Sequence, residues 1–117
     1  MNFDSFQVLT FDCYGTLIDW ETGIVNAMQP ILERHGKGPP EEGILALFGA
    51  LEAQIEAFGY RPYREVLAMV VDGFGEALGF KPSAGERTAL AESVRDWTPF
   101  DDTVVALKVF GESRRLA

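Results

Sequence analysis

The first apolar positions along the chain crowd together. Phe6, Val8, Leu9 and Phe11 make a short run dense in β-formers, set between polar residues and a glycine. Such a run predicts a strand buried on both faces, as in a parallel sheet. Beyond it the spacing turns helical. Between Thr22 and His35 the apolar residues are Ile24, Val25, Met28, Ile31 and Leu32, all on one helical face. Pro30 is placed to bend this helix and Gly36 to end it. A second helix is predicted from near Pro40, where Glu41 and Glu42 suit the helix dipole, to Gly59. A third starts near Pro62 and carries Val66, Leu67, Val70, Val71, Phe74 and Leu78 before Gly79. Its apolar face is the broadest in the chain, which predicts a place at the centre of a helical bundle. Ser83 and Glu86 form a capping-box pattern for a fourth helix. Its weakly apolar interior (Ala89, Leu90, Val94) predicts a peripheral position. A fifth, from about Asp101 to Phe110, sets Val104, Leu107 and Phe110 on one side, with Gly111 at its close.

The order is one strand and about five helices. A lone strand cannot pair its own edges, and a parallel neighbour has to be another strand of the chain. Only Arg114 to Ala117 are left to supply one. No internal repeat or low-complexity segment interrupts the pattern, and Lys37–Pro40 (KGPP) is the one linker-like break.

Composition narrows the class. The chain has 117 residues, enough for one modest domain, and 47% are hydrophobic, as expected for a soluble globular chain. Ten basic and 18 acidic residues give a formal charge of −8, which repels phosphate backbones and anionic lipid surfaces. Neither nucleic acid nor a membrane is expected as a partner. The N-terminal MNFDSFQ lacks the basic and apolar regions of a signal peptide, and no apolar stretch approaches a membrane span. A single cysteine excludes an internal disulfide and fits a cytoplasmic location.

The candidate chemistry lies in FQVLTFDCYGTLID, Phe6 to Asp19. In an open parallel sheet, ligands bind beyond the carboxyl ends of the strands, and Asp12 falls there. Gly15 lets the backbone turn sharply, and the hydroxyl of Thr16 can orient a carboxylate. Backbone N–H groups of Cys13 and Tyr14 can point at an anion. The arrangement suits a nucleophilic carboxylate that forms a covalent ester or acyl-phosphate. The plainer alternative is an aspartate that only starts a turn, with Gly and Thr as turn residues.

FDCYGTLID resembles the first motif of the haloacid dehalogenase superfamily: an apolar strand, then Asp-x-x-Gly-Thr-Leu. Tyr14, two places after Asp12, is similar to the 2-haloacid dehalogenase branch, as are DWETGI, RPYREVL and DWTPFDDTVVAL. The resemblance therefore covers most of the chain. It implies an α/β fold with a Rossmann-like core and an inserted helical cap. This chain would be its mostly α-helical part, about five helices plus one N-terminal core strand. Residues 1–20 would be the first core strand and nucleophile loop, 21–97 the cap, and 98–117 a returning core helix.

By the same resemblance Asp12 is the nucleophile, Thr16 positions it, and the amides of Cys13 and Tyr14 hold the carboxylate of a small organic acid. Phosphatases of the superfamily carry a second aspartate where Tyr14 stands, as the acid that protonates the leaving alkoxide. A halide leaves without a proton, so a tyrosine there favours dehalogenation. No cofactor is implied, and Mg²⁺ enters only if the chain is instead a phosphatase of small phosphate esters. A third reading is a non-catalytic helical interaction module. The unpaired apolar strand would then give a reason for self-association, so a homodimer is one expectation.

Two departures qualify the resemblance. The branch has a halide-binding arginine early in the cap, and Leu47–Ala53 has none; Arg61 and Arg64 are the nearest basic residues. The family continues past a segment like ESRRLA into Ser/Thr, lysine and acidic motifs, so the chain reads as a truncated hydrolase with little activity alone. Lys37, Lys81 and Lys108 lie in the wrong context to replace the lysine. Of the remaining candidates, His35 reads as a helix cap or surface residue and Cys13 as a small core residue. Asp101–Asp102 read as a helix start that could also bind a cation. Trp20 and Trp97 read as packing at the flanks of the cap.

Overall fold

Among the described residues there are five α-helices, two single-turn 3-10 helices and one pair of very short strands. They are seen in a computed structural model that describes residues 2–117. Met1, part of the stretch read as lacking a leader, lies outside the described residues. The chain divides into two compact units. One is formed by the residues up to Trp20 together with Trp97–Ala117, the other by Glu21–Asp96.

The Glu21–Asp96 unit holds the apolar core. Helix α1 (Trp20–Arg34) buries Ile24, Val25, Met28, Ile31 and Leu32, the face its spacing predicts, with Pro30 inside it. It ends where the Gly36 backbone adopts φ 67°. The Gly36 amide then donates to Glu33 O at 3.0 Å and the Lys37 amide to Leu32 O at 2.8 Å. These two bonds satisfy last-turn carbonyls in a Schellman motif, which needs the left-handed residue that glycine supplies.

Helices α2 (Glu41–Glu56) and α4 (Ala84–Ser93) both pack against α3 (Tyr63–Leu78). Helix α3 buries Val66, Leu67, Val70, Val71 and Phe74, as its broad apolar face predicts. Gly73 permits the close approach of α2, since a Cβ there would lie 2.6 Å from Leu51 Cδ2. The capping box of α4 is formed: the Glu86 amide donates to Ser83 Oγ at 3.2 Å, and the Ser83 amide to Glu86 Oε2 at 2.9 Å. The peripheral position expected of α4 is corrected. Leu90 is fully buried and Ala91 nearly so. Few apolar residues suffice because only one narrow face, Glu86, Leu90 and Ala91, is buried.

The other unit is thin. Strand β1 is only Val8–Leu9, and it pairs in parallel with β2 (Arg115–Leu116) in the register Val8 to Arg115 and Leu9 to Leu116. The residues left at the chain's end thus supply the neighbour. Burial on both faces is corrected: Val8 is 44% exposed and Phe6 48%. An apolar strand is covered only by what flanks it, and here one two-residue strand flanks β1. Helix α5 (Thr103–Gly111) lies close to the span its spacing predicts, with Gly111 as its last residue. Its Val104, Val105, Val109 and Phe110 are exposed. Thr103 is its one buried residue among those described.

Candidate active site: the Asp12 turn

Strand β1 runs out after Leu9, and the chain then makes a compact turn that presents Asp12. The turn is tied by one carbonyl. Cys13 O accepts from the amides of Leu17 at 2.8 Å, Ile18 at 3.0 Å and Thr16 at 3.3 Å. The reversal needs a left-handed residue, which Gly15 provides at φ 85°. Space requires glycine as well, because a Cβ there would lie 3.0 Å from Trp20 Nε1. The Gly15 amide closes the loop by donating to Ile18 O at 2.9 Å.

This fold of the backbone brings Asp12 and Thr16 together: Thr16 Oγ1 donates to Asp12 Oδ2 at 2.9 Å. The bond takes up one lone pair of one carboxylate oxygen. Asp12 is exposed and, among the described residues, forms no ion pair. The turn therefore presents an accessible, oriented carboxylate.

Cys13 and Tyr14 flank it. Cys13 is exposed, which corrects its reading as a small core residue. The turn uses its carbonyl and leaves the side chain outside. Tyr14 is 47% exposed, and its ring meets Trp97 edge-on, with centroids 5.7 Å apart and planes at 77°. Trp97 itself is 8% exposed and so gives Tyr14 a fixed wall.

The segment following Trp97 clamps the turn from behind. Asp19 N donates to Thr98 O at 2.9 Å and Phe100 N to Leu17 O at 3.1 Å, while Ile18 bridges Pro99. Thr103 Oγ1 donates to the same Leu17 carbonyl at 2.9 Å. The sequence pattern does not single out Thr103, because Asp101–Asp102 carry the helix-start signal. Asp102 does hold the N-cap position, but its side chain makes no capping hydrogen bond.

The residues singled out elsewhere are not part of this turn. In the Glu21–Asp96 unit, His35 Nε2 lies 2.9 Å from Glu86 Oε2, and its ring stacks on Phe80 at 4.4 Å. This replaces the surface or capping role expected of it. Arg34 Nε also donates to Glu86, at 3.0 Å. Together these hold the Glu86 carboxyl down to about 2 from an ordinary 4.5. The His35 hydrogen bond contributes most, then the Ser83 amide, with Arg34 adding less; partial burial opposes them. No group of three or more His, Cys, Asp and Glu among the described residues is placed to hold a metal, Asp101–Asp102 included. None of the helices among them is long and apolar enough to cross a membrane.

No protein-family model matches the sequence, and no curated protein matches it. Among solved structures, the defluorinating L-2-haloacid dehalogenase Rha0230 is similar with a TM-score of 0.79 at 21% identity. The match covers 94% of this chain and 49% of that one. The fold is that of a haloacid dehalogenase. The chain spans about half the length of that dehalogenase structure. Within the dehalogenase fold, the mostly helical make-up and the short parallel strand pair agree with the architecture that the FDCYGTLID resemblance implied.

Proposed function

We propose that the chain carries the nucleophile turn of a hydrolase that removes halide from small 2-haloacids. The observation that carries this reading is the Thr16–Asp12 hydrogen bond, which fixes the rotation of an exposed carboxylate in a dehalogenase fold. In the first step an Asp12 carboxylate oxygen attacks the carbon that bears the halogen. The carbon–halogen bond breaks and its electron pair leaves with the halide. In the second step water attacks the Asp12 ester, releasing a 2-hydroxy acid and a proton and restoring the carboxylate. Thr16 keeps one Asp12 oxygen engaged, so the other is directed outward to the substrate. The substrate carboxylate lies against the backbone of Cys13 and Tyr14, and the Tyr14 ring, braced by Trp97, forms one side of the site.

In this reading the residues up to Trp20, with Trp97–Ala117, contribute to the catalytic core, and Glu21–Asp96 is its helical cap. The location is cytoplasmic, and no metal takes part. A halide leaves as a weak base, so Tyr14 in place of an acid costs the reaction nothing. Asp12 has no ion-pair partner among the described residues. One positioned carboxylate without electrostatic support is slow, by about a hundredfold or more for each missing group.

The test is halide and hydroxy-acid release from 2-chloropropionate, alongside magnesium-dependent hydrolysis of p-nitrophenyl phosphate. The reading expects slow halide release that Asp12→Asn abolishes and no phosphatase turnover. Phosphate release that needs both magnesium and Asp12 would replace it with the phosphatase reading. Halide release indifferent to Asp12→Asn would leave only a helical module.

A further inference from the structure

Tyr14 is held at both its backbone and its ring. The backbone lies in the tied turn, where Tyr14 bridges Ile18 and the Gly15 amide donates to Ile18 O at 2.9 Å. The ring meets Trp97 edge-on, with centroids 5.7 Å apart. Trp97 is in turn buried, and it belongs to the same compact unit as Tyr14. The backbone that follows Trp97 is pinned to the turn, since Thr98 O accepts from Asp19 N and Leu17 O from Phe100 N. A half-exposed tyrosine elsewhere could change rotamer and swing aside for a ligand. This one is backed by an anchored indole, so its ring stands still beside Asp12.

What a fixed ring does there follows from the chemistry at Asp12, and so rests on the dehalogenation reading. An Asp12 oxygen bonds to the halogen-bearing carbon, and the halide departs on the opposite side with the electron pair of the broken bond. The substrate carboxylate is held at the backbone of Cys13 and Tyr14. The two remaining bonds of that carbon carry a hydrogen and the side group of the acid. With the carboxylate tethered at Tyr14's own backbone, the side group extends along the Tyr14 ring. A wall that cannot retreat limits the length of that group. We propose that Trp97 sets the size of the substrate: by fixing the Tyr14 ring it restricts the site to 2-haloacids whose side group is hydrogen or methyl. Trp97 meets no reacting atom. It acts through Tyr14, as a positioning residue.

The test compares 2-bromopropionate with 2-bromobutyrate, whose side groups differ by one methylene. The full chain in a Cys13→Ser background is incubated with each acid, and the rate of ester formation on the Asp12 peptide is followed by mass spectrometry. The readout is the ratio of the two rates, because a partly unfolded variant loses both together. The chain with Trp97 intact is expected to favour 2-bromopropionate about tenfold or more, the effect of one methylene against a fixed wall. Trp97→Leu removes the aromatic support and should bring the two rates close to each other. Trp97→Phe keeps a ring behind Tyr14 and should hold most of the selectivity. Tyr14→Ala removes the wall itself at a half-exposed position, so it carries the test even where Trp97→Leu does not fold. Its two rates should also come close. A ratio unmoved by Tyr14→Ala, or by a folded Trp97→Leu, would overturn the proposal and leave esterification of Asp12 standing. Failure of Asp12 to react with either acid would overturn the dehalogenation reading and the proposal with it.

Discussion

Thr103 Oγ1 donates a hydrogen bond to the carbonyl oxygen of Leu17 at 2.9 Å, joining residues 86 apart in sequence. Leu17 belongs to the turn that presents Asp12, and its amide is held by Cys13 O. The start of α5 therefore braces the candidate nucleophile loop through a buried hydroxyl.

Replacing that hydroxyl separates its role from that of the side-chain volume. Thr103→Val keeps the shape but removes the donor, while Leu17 O keeps its bond from Phe100 N. Thr103→Val is expected to cost about 1 kcal/mol, the net value of one hydrogen bond, whereas Thr103→Ser retains the donor. Thermal melts check this, with the melting temperature of the valine variant falling by several degrees. Equal melting temperatures for the valine variant and the wild type would remove Thr103 from the account.

Gly15 makes a sharper test of the turn itself. Its φ of 85° and the 3.0 Å approach of Trp20 Nε1 to a would-be Cβ both oppose a side chain. Gly15→Ala is expected to destabilise the chain by about 1–2 kcal/mol from the left-handed backbone alone. The urea midpoint reports it. A midpoint unchanged from the wild type would mean that the turn is not formed as described.

Glu86 gives the chain a signature in acid. Its folded pKa of about 2 lies below the ordinary 4.5. The folded state therefore favours the ionised carboxylate, and this contribution is fully present above about pH 4.5. It fades as the pH falls through that value towards 2, because protonation takes away the charge that His35 and Arg34 engage. Glu86→Gln lacks the contribution at every pH. The stability gap between wild type and Glu86→Gln should shrink steadily as the pH falls below 4.5. Thermal melts across that window measure the gap, and one independent of pH would contradict the assignment.

Leu90 tests whether α4 is part of the core. It is completely buried, although the composition of its helix suggested a peripheral element. Leu90→Ala is expected to cost about 2–5 kcal/mol, the range for a core leucine. Denaturant unfolding checks the value, and a loss under 1 kcal/mol would return α4 to the periphery.

What the sequence made legible follows from how local each signal is. The buried faces of α1 and α3 and the capping box of α4 depend on spacing within one helix, and they could be read directly. The exposure of Val8, Phe110 and Cys13 depends on what the rest of the chain lays over them, which no local pattern records. The Asp12–Thr16 contact was readable because four residues and one glycine set it. The brace from Thr103 was not, since it joins two distant segments and the adjacent aspartates carried the more familiar helix-start signal.

The central claim is that Asp12 itself becomes esterified. The direct measurement is peptide mass spectrometry after prolonged incubation with 2-bromopropionate, in a Cys13→Ser background that removes the exposed thiol as a competing nucleophile. The account predicts an ester on the peptide containing Asp12. Asp12→Asn should abolish it, and in heavy-oxygen water the Asp12 carboxylate should acquire label. Modification of other carboxylates with Asp12 left untouched would contradict it.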